Sequence, residues 1–228
     1  MTTALEKRVH RLQDKYGDAL LTALTVILLL LMFVVAPIRA ADYAIAEAMG
    51  LVLFLLLIVV SLAVSGNLVS FVLMFVALAM NATVVLRRAL HHPTYNMHLL
   101  ACGWLLFAAT LGWVVARAVF AAGRVTYHRI VGAVLLYLLI AATFAVLYLI
   151  LGLGLADAFS GLTLTDSPGL TSNLIYFSVV TLTSTGYGDI APVHPIARAL
   201  CNIESIIGQL YPATLLARLV TLELEHRR

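Results

Sequence analysis

The sequence predicts an all-α membrane protein of six transmembrane helices, with a half-length helix and an irregular polar loop re-entering the membrane between the fifth and the sixth. Three observations carry that expectation. Of 228 residues, 63% are hydrophobic and only 11% charged, with a mean hydropathy of +1.05, so most of the chain sits in lipid rather than in a water-soluble core. Apolar stretches recur at the length of about 20 residues that a helix needs to cross a hydrocarbon layer of about 30 Å. One run, "TLTSTGYGDI" from Thr181 to Ile190, is polar and glycine-rich where its surroundings are hydrocarbon.

Five stretches are long and apolar enough without argument: Ala19 to Pro37, Tyr43 to Val64, Leu68 to Leu86, His98 to Phe120 and Ile130 to Leu153. A sixth, Ile196 to Leu222, is more polar but of sufficient length. The first reads as an uncleaved anchor, because its apolar run exceeds the about 7 to 15 residues of a signal-peptide core and no small-x-small site comes cleanly after it. The breaks are polar and short: Ser65-Gly66-Asn67 is a turn tripeptide, and Arg87 to Met97, with Pro93 and Asn96, is a loop. "GRVTYHR" at Gly123 to Arg129 separates the fourth span from the fifth. Residues 1–18 thus form a short N-terminal segment, 19–122 a four-helix domain, and 123–228 a two-helix part that encloses the polar run.

Charge and polar inventory exclude several functions. The net charge of +3 comes from basic residues near segment ends, with no basic tract of the kind that binds nucleic acid. Cys102 and Cys201 both fall in apolar stretches, which provides neither a disulfide framework nor a CxxC pair and suggests inert packing. The intramembrane polar set is essentially Asn81, Asn202 and Glu204, too sparse for a catalytic constellation, so the chain is not read as an enzyme.

Between the fifth and sixth spans the turn Asp166-Ser167-Pro168-Gly169 leads to Thr171 or Ser172 as a helix N-cap and then to about three helical turns, Ser172 to Thr183. Such a helix must enter and return on one side of the membrane. Irregular backbone at that depth is tolerated only where it is buried in protein or lines water, so Thr181 to Asp189 is read as the lining of an aqueous path. Gly186 and Gly188 permit positive φ, which lets successive carbonyls face one axis instead of alternating as in a strand. Rings of carbonyls can replace the hydration shell of a cation.

"TLTSTGYGD" resembles the selectivity-filter signature of potassium channels, T-x-G-Y-G-D, and the preceding "YFSVV" is similar to that family's pore helix. The resemblance covers residues from about Gly123 to the C-terminus; the first four helices add only a helix count similar to that of the six-helix tetrameric channels. It implies a pore domain of outer helix, pore helix, filter and inner helix. K+ would be held by oxygens of Ser184, Thr185, Gly186 and Tyr187, with Gly188 completing the filter and Asp189 at the outer mouth. It further implies filter support from Tyr176, Phe177, Thr181 and Glu204, a gating hinge at Gly208 and Pro212, and a cavity lined by Gln209, Pro212 and Leu216. The chain departs from the family in having Ser184 for the usual Thr, Thr185 for Val or Ile, and Val180 where some members carry a buried Glu. Tyr176 then becomes the expected partner of Asp189.

Several residues have a plainer reading beside the functional one. Gly208 serves equally as a close-packing residue, while Pro212 removes a backbone hydrogen bond and should bend its helix. Glu204 is read as accepting a structural hydrogen bond from a hydroxyl of the short helix, with proton sensing as the alternative. His91, His92 and His98 match no metal-binding spacing and read as a solvated loop, and His194 as a surface histidine. The fourth span offers only Arg117 and Arg124, both at its inner end, against the three to four charges a voltage sensor moves.

The expected function is passive K+ conduction along the axis of a homotetramer, weakly or not voltage-gated, because each chain supplies only a couple of oxygens at any level of the filter. The alternatives are a non-selective monovalent cation channel and a non-conducting membrane scaffold. The dipole of the short helix and the acids Asp157, Asp166 and Asp189 favour cations at the two ends of the path. Expected partners are further copies of the chain, membrane lipids and K+, with no nucleic acid and no cofactor beyond the ions. The basic residues place both termini in the cytoplasm and the protein, multi-pass, in the plasma membrane; Arg87-Arg88 is the exception to that bias.

Overall fold

The computed structural model describes residues 19–41, 43, 45–65, 68–89, 97–120, 127–155, 157–165 and 167–226. The segment 1–18, the turn at Gly66-Asn67, His91 and His92, Arg124 and Asp166 lie outside the described residues. The order is α1 Ala19–Ala40, α2 Ile45–Ser65, α3 Leu68–Ala89, α4 Met97–Phe120, α5 Tyr127–Gly154, β1 Phe159–Ser160, α6 Leu170–Leu182, β2 Ala191–Pro192 and α7 Pro195–His226. Among the described residues the regular elements are helices apart from the two-residue strands β1 and β2, which pair antiparallel as Phe159 with Pro192 and Ser160 with Ala191.

Helix ends depart from the sequence expectation for physical reasons. α1 does not stop at Pro37. It widens to a π-turn over Leu31–Val35, where the Ala36 N–H reaches Leu31 O, and this relaxed turn accommodates a proline that cannot donate to the preceding carbonyls. α6 starts at Leu170 with Gly169 as N-cap and no side-chain cap, so neither Thr171 nor Ser172 caps it. The turn that bonds Leu170 N to Ser167 O at 3.1 Å already winds the chain, leaving both residues inside the first helical turn.

By length and apolar composition, α1, α4 over Met97–Arg117 and α5 over Ile130–Gly154 can cross a membrane, while α2 and α3 carry shorter apolar runs at Met49–Val64 and Leu68–Thr83. Together they make a multi-pass membrane protein. α2 and α3 present Leu51, Val52, Val59, Phe71, Val72 and Phe75 on the outside, as lipid contact requires. Hydroxyls within the helices fold back on the preceding turn: Thr25 Oγ1 donates to Leu21 O at 2.8 Å, Thr110 Oγ1 to Leu106 O at 2.7 Å and Thr143 Oγ1 to Leu139 O at 2.7 Å, so none of the three is left unsatisfied in an apolar setting. Cys102 is exposed and Cys201 buried, both as free thiols, which corrects the expectation that both pack internally.

Two cores result. The larger one joins α1 to α5 through Leu24, Leu57, Met74, Phe107, Leu111 and Leu135, and takes in Leu182 at the end of α6. α1 lies directly on α5, with Gly132 leaving room for Leu21 and Val119, and its C-terminal turns touch α6. The smaller core surrounds α6: Phe177 packs on Tyr148 and Phe159 with ring centroids 4.8 and 5.5 Å apart, joined by Phe144, Leu174 and Cys201. The short helix is therefore held on one side by α5 and on another by α7.

Candidate functional site

α6 ends in a cap that shapes the loop after it. Thr183 N bonds Val179 O at 3.0 Å, Ser184 N bonds Thr181 O at 2.9 Å and Thr185 N bonds Val180 O at 2.9 Å. The last two are the paired bonds of a Schellman cap, which needs a left-handed residue at its centre, usually Gly or Asn. Ser184 occupies that place with φ +57°. Gly186 and Gly188 come next at φ +58° and +83°, so the sign of φ alternates from Ser184 to Gly188. The sequence pointed to the two glycines and missed the serine, because nothing local marks Ser184 as left-handed.

Alternating φ turns successive peptide units the same way, and the carbonyls of Ser184, Thr185, Gly186 and Tyr187 accept no hydrogen bond from any described residue. Residues 183–189 are all exposed in the single chain. The loop is braced from behind and at its ends. Thr185 Oγ1 lies 2.8 Å from Thr183 Oγ1, which in turn donates to Val179 O at 2.8 Å. The Tyr187 ring stacks on Tyr176, 6.3 Å between centroids and 3° between planes, and the Tyr176 hydroxyl interacts with Asp189. Gly161, at φ +76°, lies against the Asp189 carbonyl so closely that no Cβ fits. Val193 N bonds Ala158 O at 2.9 Å, tying the exit of the loop to the β1 segment. His194 is half-buried and accepts the Ile196 N–H at Nδ1, 3.2 Å away, as a cap at the start of α7.

One face of α7 grips the base of the loop. Ser205 Oγ donates to Thr181 O at 3.2 Å, and Gln209 Nε2 donates to Ser184 Oγ at 3.0 Å. Gly208, between them, abuts the Leu182 carbonyl with no space for a Cβ. Its close-packing role is thus physically present. Tyr137 of α5 reaches the same Leu182 O at 3.5 Å. α7 stays helical through Pro212. Gln209, Pro212 and Leu216 share one helical face and are exposed in the single chain.

Glu204 is fully buried. Its Oε1 lies 2.5 Å from Ser178 Oγ on α6, and its Oε2 accepts from the Tyr148 hydroxyl on α5. Ser178 Oγ also lies 2.7 Å from the Ala141 carbonyl. Ser178 has one proton for two oxygen neighbours and a carbonyl cannot donate, so the three contacts each hold a proton only when the carboxyl group keeps its own. Glu204 therefore links α5, α6 and α7. The sequence reading found the α6 hydroxyl class and missed Tyr148; a buried tyrosine hydroxyl in an apolar helix usually needs such a partner.

A cleft of about 380 Å³ lies between the loop and α7, lined by Tyr176, Thr181, Ser184, Asp189, Cys201 and Ser205. Among the described residues no three His, Cys, Asp or Glu side chains gather as a metal site.

Comparison with known proteins matches residues 133–224 to a family described as "Ion channel". Residues 133–224 are thus similar to an ion-channel module. The module spans most of α5, all of α6, the loop and α7 almost to its end. The inward rectifier potassium channel Kirbac3.1 of Paramagnetospirillum magnetotacticum is 35% identical over 75 residues, 33% of this chain and 23% of the relative. The likeness is thus to a potassium channel, as the signature led us to expect, although the chain spans under a quarter of that relative's length. No solved structure matches the chain significantly. The family points to an ion channel rather than an enzyme.

Proposed function

We propose that the protein is a potassium-selective channel that conducts K+ passively along the axis of a homotetramer. The observation that carries the reading is the alternation of φ at Ser184, Gly186 and Gly188 at the C-terminal end of a half-length helix, inside the segment that matches ion channels. It leaves a column of unpaired carbonyls that replaces a dehydrating cation's water. The C-terminal end of α6 adds a negative dipole directed at the same place.

Four copies supply what one lacks: the loop is exposed in the single chain and flanked by an open cleft, and a ring of oxygens needs several chains. In this reading Ser184 to Gly188 form the filter, Asp189 the mouth, and Gln209, Pro212 and Leu216 the inner cavity. Six spans are our reading of the topology, with α2, α3 and α7 of 21, 22 and 32 residues crossing beside the three more apolar helices, in the plasma membrane with both termini cytoplasmic. The first four helices serve as a scaffold around the pore rather than as a voltage sensor.

Purified protein in liposomes tests the reading. K+ flux with a reversal potential near the K+ equilibrium value is the expected result. Equal permeability to K+ and Na+ would favour a non-selective cation channel, and no flux would favour a scaffold.

A further inference from the structure

We propose that Gln209 is the positioning residue of the innermost ion site, holding the Ser184 hydroxyl, and the left-handed backbone that carries it, in the cation-coordinating arrangement. The inference rests on reading Ser184 to Gly188 as a K+ filter.

Ser184 has two physical problems. Its φ of +57° brings its Cβ against the backbone, a penalty that glycine at this cap position avoids, and such a residue persists only where its surroundings over-determine it. Serine also lacks the second β-substituent that makes threonine stiff at χ1, so its hydroxyl has no intrinsic direction. Gln209 answers both. Its Nε2 donates to Ser184 Oγ at 3.0 Å, occupying one lone-pair direction and leaving the other free.

The bond does not stand alone. Ser205, Gly208 and Gln209 lie at i, i+3 and i+4, on one face of α7. They engage Thr181 O, the Leu182 carbonyl and Ser184 Oγ respectively, so one rigid helix fixes the turn of chain that ends in Ser184. Of the three, Gln209 touches the side chain that would meet the ion. It is exposed in the single chain and is not needed to fill a core.

The test measures unfolding temperature of the full-length protein in detergent, in K+ and in Na+ at equal ionic strength. A site that binds K+ raises stability by mass action, and the K+ minus Na+ difference reports the site itself. Gln209→Met, close in shape but without a donor, is expected to reduce that difference by about half or more, and Gln209→Leu to do the same. Ser184→Ala should also reduce it, and the double variant should lose no more than the worse single one. An unchanged difference in both Gln209 variants, even with both temperatures lowered together, would show a merely structural role and overturn the proposal, as would additive losses. No K+-specific difference in the unmutated protein, together with equal K+ and Na+ flux, would sink the filter reading beneath it.

Discussion

At the scale of residues, the loop works through backbone conformation, and two substitutions separate that from side-chain chemistry. At Gly186, φ is +58° and an added Cβ meets nothing within 4 Å, so Gly186→Ala introduces the left-handed penalty of about 1 to 2 kcal/mol without a clash. K+ flux in liposomes should be abolished while the protein still assembles. Thr185→Val removes a hydroxyl whose neighbour, Thr183, retains its own bond to Val179 O; conduction should persist, with reversal potentials showing equal or sharper discrimination against Na+. At Glu204 the proton count decides the outcome. Gln reproduces a neutral carboxyl, one oxygen accepting from Tyr148 and one N–H donating to Ser178, so Glu204→Gln should cost under about 1 kcal/mol, whereas Glu204→Ala takes the acceptor from the buried Tyr148 hydroxyl, leaving Ser178 only its bond to Ala141 O, and should cost about 1 to 3 kcal/mol. Thermal unfolding of both variants checks this, and equal losses would show a charged carboxylate. The partner class of Glu204 was legible because a lone acid in a membrane helix must find a hydroxyl or a base; Tyr148 was not, being 56 residues away in the chain.

At the scale of elements, α6 and α7 behave as one unit. The half-length helix was legible from turn chemistry and length, but its N-cap was not, because the turn before Leu170 does the winding that a capping side chain would otherwise mark. Gly208 touches the Leu182 carbonyl, so Gly208→Ala forces α7 away from α6. Overpacking of this kind costs about 1 to 3 kcal/mol, and it should appear as a lower unfolding temperature with loss of flux. If Gly208 serves only as a hinge within α7, the unfolding temperature should hold while gating changes. Pro212 leaves α7 unbroken, which makes Gly208 a contact point before it is a pivot.

At the scale of the whole molecule, the exposed loop and its open cleft call for neighbours. Mass measurement in detergent should give a homotetramer, and a conducting monomer or dimer would refute the axial filter. Along α4, Arg117 lies over the Trp113 ring, 5.1 Å from its centroid, held at one end of the helix. Few charges are available to cross the field, at about 2.3 kcal/mol per charge per 100 mV, so stepping the voltage across a bilayer should change open probability only weakly. Steep activation would overturn the scaffold reading of the first four helices.

Local chemistry was enough to set the membrane class, the positions of the helices to within a few residues, the half-length helix and the left-handed glycines at 186 and 188. Each of these depends on hydropathy, length or backbone freedom over a dozen or so neighbouring residues. Packing across the fold was needed to make Ser184 left-handed, to seat Gly161 under Asp189, to lay α1 on α5 and α6, and to turn Ser205, Gly208 and Gln209 towards the base of the loop. These contacts join residues far apart in the chain, such as Thr25 Oγ1 with Val131 O at 3.4 Å. No periodicity encodes them, because they depend on where helices cross, and that is set by the fit of whole surfaces rather than by any local run.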